Sequence, residues 1–300
     1  MSIMNILPVP QSHDGSFYAT NNPYQLNGPR GFSEFRMMEE NEDLFVRLDF
    51  PGITKESIKI LVEPLKKAVF VFGDAPKELN HDSSHRKYGT ATGLVCDCCE
   101  LSNIQCFVGD GVVRLILSKK KINLHVPSSC YFGGAIVPIT PPHFAHIIYG
   151  YNPQVYLTFF LVCVDSPVAA AGGHPLAHLR GQNLEGRRAT DPLDPTLTGR
   201  VIQPHPSVLE GPTSAYEFKQ LQNGGLFLRI DMPGVPHDNF TVSIEGDGTV
   251  TVIGRAPPVL FDSSGREYGG KVAILPRNYD SRRIKTIAKH GVIRLIIPAY

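Results

Sequence analysis

No stretch of this sequence approaches the roughly 20 consecutive apolar residues that a membrane-spanning helix needs. The longest apolar run, Val155 to Val164, is about half that length, and Thr158 interrupts it. Charge is scarce as well. Lys and Arg number 29 against 28 Asp and Glu, a net charge of +1, which leaves no electrostatic case for binding nucleic acid or an anionic membrane. The first residues lack a basic stretch followed by an apolar one, so no secretory leader is expected. Six cysteines without such a leader are expected to be reduced thiols, in the cytoplasm, the nucleus or both. No G-x-x-x-x-G-K-[ST] loop offers a nucleotide seat, and no cofactor is expected. Punctuation, by contrast, is plentiful. The 28 Gly and 25 Pro imply many turns, and 300 residues at 42% hydrophobic content can fill two domain cores.

The chain repeats itself. Residues 28–52 read GPRGFSEFRMMEENEDLFVRLDFPG and residues 211–234 read GPTSAYEFKQLQNGGLFLRIDMPG, sharing G-P, E-F and L-F-x-R-x-D-x-P-G. Further on, the run Asp82 to Gly89 answers Asp262 to Gly269, and Gly111 to Ile116 answers Gly291 to Ile296. Phe35 and Phe218 stand 183 residues apart, Gly111 and Gly291 180. Three blocks in one order at nearly constant separation mean a duplicated unit. The expected division is an N-terminal arm (1–27), a first module (28–120), a Pro/Gly-rich linker (121–205) and a second module (206–300).

Within each copy the pattern is that of strands. Leu44, Val46, Leu48 and Phe50 alternate with Phe45, Arg47 and Asp49, as Leu226, Leu228, Ile230 and Met232 alternate with Phe227, Arg229 and Asp231. Period-two alternation predicts a half-buried strand. Pro51-Gly52 and Pro233-Gly234 then predict type II turns. Shorter strands are expected at Ile58–Val62 and Phe240–Ile244, then at 69–72 and 250–253. Asp110-Gly111 and His290-Gly291 predict tight hairpins into the last strands. No segment of either copy has a 3.6-residue apolar stripe. The reading is all-β: two antiparallel, immunoglobulin-like sandwiches joined by a long irregular connection.

These residues resemble the α-crystallin domain of small heat-shock proteins, plant-type members in particular. The resemblance rests on Asp49-Phe50-Pro51-Gly52, Asp231-Met232-Pro233-Gly234, Leu275-Pro276, Gly111-Val112-Val113 and Gly291-Val292-Ile293, and covers about 180 of the 300 residues. It implies ATP-independent binding of exposed apolar or extended segments of client proteins. It departs from the family in the first copy, where Leu94 to Cys99 replaces Leu-Pro, and after Pro298-Ala299-Tyr300 no I-x-I tail is expected. Duplicated plant proteins of this look include nuclear members of complexes that promote active DNA demethylation, which gives a second expectation, a dedicated adaptor.

In the family, partners enter a groove between the short strand after the D-x-P-G turn and the strand before the terminal hairpin. Carried over, the groove would be Ile58, Ile60 and Val62 with Ile104 and Cys106, and Phe240, Val242 and Ile244 with Ile284 and Thr286. Plain core is the competing reading of the same alternation. The family also dimerises through a strand in the loop after the third strand, here about 74–90 and 255–270, so the two copies could pair within one chain or form a small oligomer.

Other signals are weaker. Cys96, Cys98, Cys99 and Cys106 cluster, but C-x-C-C without a second pair is a poor zinc pattern, and no metal site is expected. His143, His146, His174 and His178 read as loop histidines, and Lys119 to Lys121 as a solvated strand end. Asp82-Ser83-Ser84-His85 holds the residue types of a catalytic triad, but Gly265 replaces the histidine in the second copy and no nucleophile elbow appears. A turn-rich loop explains the run, and no catalysis is expected.

Overall fold

The computed structural model describes residues 19–20, 22–29, 31–38, 43–94, 98–122, 137–138, 164–165, 201–202, 204–275 and 279–299. In chain order the strands begin with β1 (Ala19–Thr20), β2 (Gln25–Asn27), β3 (Ser33–Met37), β4 (Leu44–Asp49) and β5 (Ile58–Val62). They continue with β6 (Ala68–Ala75), β7 (Arg86–Gly93), β8 (Cys99–Gly109), β9 (Val112–Lys121) and β10 (Val137–Pro138). Next come β11 (Val164–Asp165), β12 (Val201–Ile202), β13 (Val208–Glu210), β14 (Tyr216–Gln220) and β15 (Leu226–Asp231). The last five are β16 (Phe240–Ile244), β17 (Thr249–Ala256), β18 (Arg266–Ile274), β19 (Lys285–Lys289) and β20 (Val292–Ile297). Among the described residues there is no α-helix, only 3-10 turns at Lys55–Ser57 and Ser281–Arg283.

The chain divides into two compact units. The first module comprises Ser33–Asp165 and His205–Thr213; the second comprises Met1–Phe32, Ser166–Pro204 and Ser214–Tyr300. In the first, one sheet runs β10-β7-β6-β5, with β13 also on β7, and the other runs β11-β8-β9-β4-β3. In the second, the sheets run β16-β17-β18-β2 and β14-β15-β20-β19. A further two-stranded pair joins β1 to β12. Pairing is antiparallel except for β11 on β8 and β1 on β12. The all-β, two-sandwich architecture read from the repeat is therefore present.

Each module has one apolar core between its two sheets. Leu44, Val46 and Leu48 of β4 meet Ile58, Ile60, Val62, Val69 and Val71 from the facing sheet in the first. Leu226, Leu228 and Ile230 meet Val250, Val252 and Val272 in the second. Each such side chain taken fully out of water contributes about 1.5–3 kcal/mol.

The turns repeat as closely as the strands. Ile53 N–H donates to Phe50 O at 3.2 Å and Val235 N–H to Met232 O at 3.0 Å, closing the turns over Pro51-Gly52 and Pro233-Gly234. Gly52 and Gly234 sit at φ 93° and 90°, the left-handed values that a type II turn requires at its third position. Tyr88 Oη donates to Pro51 O at 2.8 Å, and Tyr268 Oη to Pro233 O at 2.9 Å. Phe50 N–H reaches Gly111 O and Met232 N–H reaches Gly291 O, tying the turn to the terminal hairpin. At that hairpin Asp110 and Gly111 both have positive φ, as do His290 and Gly291, which matches the twist of a tight antiparallel connection.

Four details differ from the sequence reading. First, β4 and β15 are buried on both faces, not half-buried. Arg47 is fully buried (0% exposed) and pairs with Asp49 at 3.1 Å; Arg229 pairs with Asp231 at 3.0 Å. Alternating polarity marks chemistry, not exposure, when the polar residues neutralise one another. Second, residues 22–29 lie in the unit of the second module and residues 205–213 in that of the first, so each arm joins the other copy's sandwich. Third, the regions 74–90 and 255–270 do not carry a separate outlying strand. They turn straight back, so that β7 pairs along β6 and β18 along β17. Fourth, Cys98 and Cys106 are each in a disulfide, not with one another, and Cys99 is a buried thiol, against the expectation of reduced cysteines. Pairing depends on which sulfurs the fold brings within bonding distance, and spacing in sequence does not give that. Cys96, the four linker histidines and most of the linker lie outside the described residues.

Candidate protein-binding edges and arm seats

The ten groove positions divide by module. In the first, Ile58, Ile60, Val62, Ile104 and Cys106 are all buried members of the central core, and Cys106 is in a disulfide. In the second, Phe240, Val242, Ile244 and Ile284 are only partly buried, packed against the core from outside it, and Thr286 is exposed. The edges differ too. β16 and β19 each end their sheet. In the first module β5 also ends its sheet, but β8 carries β11 alongside it, with Val164 opposite Phe107 and Asp165 opposite Val108. Among the described residues, the second module therefore keeps two free strand edges next to accessible apolar side chains, the arrangement that accepts an added extended segment.

The arms occupy a second kind of edge, one on each module. Asn22 Nδ2 donates to the backbone carbonyl of Asp231. His205, 183 positions later, uses Nε2 on the carbonyl of Asp49 at 2.7 Å. A carbonyl only accepts, so Nε2 carries the proton, and Nδ1 accepts from Ser207 N–H at 3.2 Å. The neutral Nε2–H tautomer follows. Tyr24 N–H donates to Asn22 Oδ1 at 3.0 Å in the same way. Backbone bonds then match: Gly269 N–H to Tyr24 O at 2.8 Å, and Gly89 N–H to Ser207 O at 2.7 Å. Leu26 lies over Gly269 and Leu209 over Gly89, where a Cβ would come 3.0 and 2.5 Å from the leucine Cδ1. Each arm ends in Gly-Pro, with Gly28 and Gly211 both at φ 95°.

The turn residues singled out from sequence thus serve the arms as well. Asp49 and Asp231 hold an arginine with the carboxylate and an arm with the carbonyl. The arms' own residues were not picked out beforehand, although the repeated Gly-Pro at 28–29 and 211–212 was the available signal. Beside the second seat, Tyr24 packs against Tyr216 with ring centroids 5.7 Å apart, and burial pushes the Tyr24 phenol up to about 12.

The Asp82 loop is held by hydrogen bonds to its own backbone. Asp82 accepts the N–H groups of Glu78 and Leu79 at 2.9 Å, as Asp262 accepts that of Val259 at 3.2 Å. Ser84 donates to the carbonyl of His85, not to its ring, and the ring faces Glu210 at 3.4 Å. Among the described residues no cluster of His, Cys, Asp and Glu could hold a metal ion, and no helix is long and apolar enough to cross a membrane.

Comparison with known proteins agrees with this architecture. Residues 3–300 match the family described as "Predicted plant small heat shock protein". The chain is 60% identical over 301 aligned positions to the "Putative 57 kDa heat shock protein" of Arabidopsis thaliana, covering 88% of this chain and 56% of that one. It is 26% identical over 113 positions to the mitochondrial heat shock 22 kDa protein of Glycine max (36% of this chain, 53% of that one). It is 25% identical over 88 positions to the 14.7 kDa heat shock protein of Arabidopsis thaliana (29% and 66%). The chain spans about half to two thirds of the length of these relatives. With a family match over nearly its whole length and two α-crystallin-like sandwiches, the chain belongs to the plant small heat-shock protein family.

Proposed function

We propose that the chain is an ATP-independent protein binder of small heat-shock type that captures extended apolar segments of client proteins at the open rim of its second module. The observation that carries this reading is the difference between the grooves. Ile58, Ile60, Val62, Ile104 and Cys106 are sealed into core, while Phe240, Val242 and Ile244 on the edge strand β16, and Ile284 just before the edge strand β19, are only partly buried. A client strand would add backbone hydrogen bonds along one edge and set alternate side chains against these residues. Such capture needs no nucleotide and no bond-making chemistry, in keeping with a family that is generally non-enzymatic.

Suppression of the aggregation of a heated test substrate measures this directly. Protection is expected from the wild-type chain, with several-fold loss in Val242→Asp and Ile284→Asp. Equal protection from those variants would overturn the assignment to this rim.

A second reading, a dedicated adaptor within a larger complex, uses the same rim. One open groove in place of two favours it, because a general holdase gains from many sites. No protection at equimolar protein, together with discrete partners that co-purify from native extract, would select the adaptor. In either case each arm seat is filled from within the chain, which supports a protein that needs no second copy to fill these seats. Light scattering should return the mass of one chain, and a large polydisperse assembly would contradict this.

A further inference from the structure

The two arms share their geometry but not their charge. In the first module one cross-strand row runs Asp74 on β6, Lys87 on β7 and Glu210 on β13: minus, plus, minus. The matching row of the second module runs Arg255 on β17, Glu267 on β18 and Asn27 on β2: plus, minus, neutral. Lys87 Nζ lies 2.8 Å from Glu210 Oε2, with His85 Nε2 at 3.4 Å. Asn27 Nδ2 donates to Glu267 Oε2 at 3.3 Å, and Arg255 Nε stands 3.7 Å from Glu267. The hydrogen bond from Lys87, then that from His85, holds the Glu210 carboxyl below its ordinary value.

Opposite charges facing each other across a sheet stabilise the pairing and like charges oppose it. At the outer position of the row, glutamate meets Lys87 in the first module and would meet Glu267 in the second. Asparagine at that position satisfies Glu267 with a donated hydrogen bond and adds no second negative charge.

We propose that this row is an address. Residue 210 against residue 87, and residue 27 against residue 267, assign arm 205–213 to the first module and arm 22–29 to the second. The first seat is accordingly a binding site for an extended Leu-acidic-Gly-Pro segment, supplied by the chain itself. The shared features (the donor to the D-x-P-G carbonyl, the leucine over a glycine, the terminal Gly-Pro) hold an arm in place without choosing between the seats, and the charged row chooses.

The test uses the full-length chain and reads each seat by its own amide. Gly89 N–H is bonded to Ser207 O and Gly269 N–H to Tyr24 O, so their native-state hydrogen exchange reports the two arms separately. Because the pair is partly exposed, its loss is worth about two- to fivefold, and reversing the charge about tenfold. Glu210→Lys should speed exchange at Gly89 about tenfold and leave Gly269 unchanged. Adding Lys87→Glu should restore Gly89. A synthetic peptide of residues 204–213 should protect Gly89 in the Glu210→Lys chain, and the same peptide carrying Glu210→Lys should not. The proposal fails if Gly89 is unmoved in the single variant, if the double variant is no slower than the single, or if Gly269 accelerates equally, which would make the row structural only.

Discussion

His205 and Asp49, 156 residues apart in sequence, are joined by a 2.7 Å hydrogen bond from the imidazole Nε2 to the backbone carbonyl. The bond is buried, with His205 3% exposed, and its counterpart links Asn22 to Asp231. His205→Ala leaves that carbonyl out of water without this donor, at a cost of about 1–3 kcal/mol. His205→Asn installs the residue that does the same work in the other module, and should recover most of the loss. Urea unfolding of the three proteins distinguishes them; an alanine variant as stable as wild type would contradict the role given to the bond.

The Gly-Pro ends of the arms predict a second loss. Gly211 and Gly28 lie at positive φ, and a Cβ there would come 2.3 and 2.6 Å from the backbone oxygens of His85 and Gly265. Backbone cannot yield as a side-chain tip can. Gly211→Ala and Gly28→Ala should each destabilise by roughly 2–3 kcal/mol, more than an ordinary strained backbone alone costs at the low end. The check is thermal unfolding, with Gly246→Ala as a control, since a Cβ at Gly246 meets nothing within 4 Å.

Arg47 is fully buried beside Asp49, itself 4% exposed. Replacing the arginine with methionine removes the ion-pair partner 3.1 Å from the buried Asp49 carboxylate and should cost about 3–5 kcal/mol. Converting both, Arg47→Met with Asp49→Asn, removes both buried charges of the pair and should cost less than the single change. A double variant worse than Arg47→Met by the full cost of Asp49→Asn alone would show that the two residues act independently.

Tyr24 sets an alkaline limit. Its phenol ionises near 12 in the folded chain because burial disfavours the anion, against 10.0 for an ordinary tyrosine. Above about pH 10 the unfolded chain gives up this proton while the folded chain keeps it. The stability linked to Tyr24 is therefore complete below pH 10 and declines as pH rises toward 12, by about 2–3 kcal/mol in all. Urea midpoints between pH 8 and 11.5 should fall less steeply in Tyr24→Phe than in wild type.

Much of the fold was legible because it is local. Alternation at Leu44–Phe50, the Pro51-Gly52 turn and the Asp110-Gly111 hairpin are each specified within a few residues, and the duplication displays them twice. The fate of Gly28-Pro29 and Gly211-Pro212 was not legible. A strand that pairs with its own module and one that pairs with the other copy carry the same alternation, and the choice lies in side chains such as Glu210 and Lys87 that are distant in sequence. The groove shows the same boundary. Ile58, Ile60 and Val62 read like Phe240, Val242 and Ile244, yet the first set is core and the second is rim. That difference arises from neighbours: β8 spans 11 residues and carries β11, whereas β19 spans 5 and ends its sheet.

The most direct measurement is hydrogen exchange on the full-length chain with and without an unfolded client protein. Backbone amides of β16 or β19, around Val242 and Thr286, should gain protection when the client is present, while those of β5 and β8 around Ile60 and Ile104 stay as they were. Protection confined to β5 and β8, or no change at β16 and β19 despite client binding, would contradict the account.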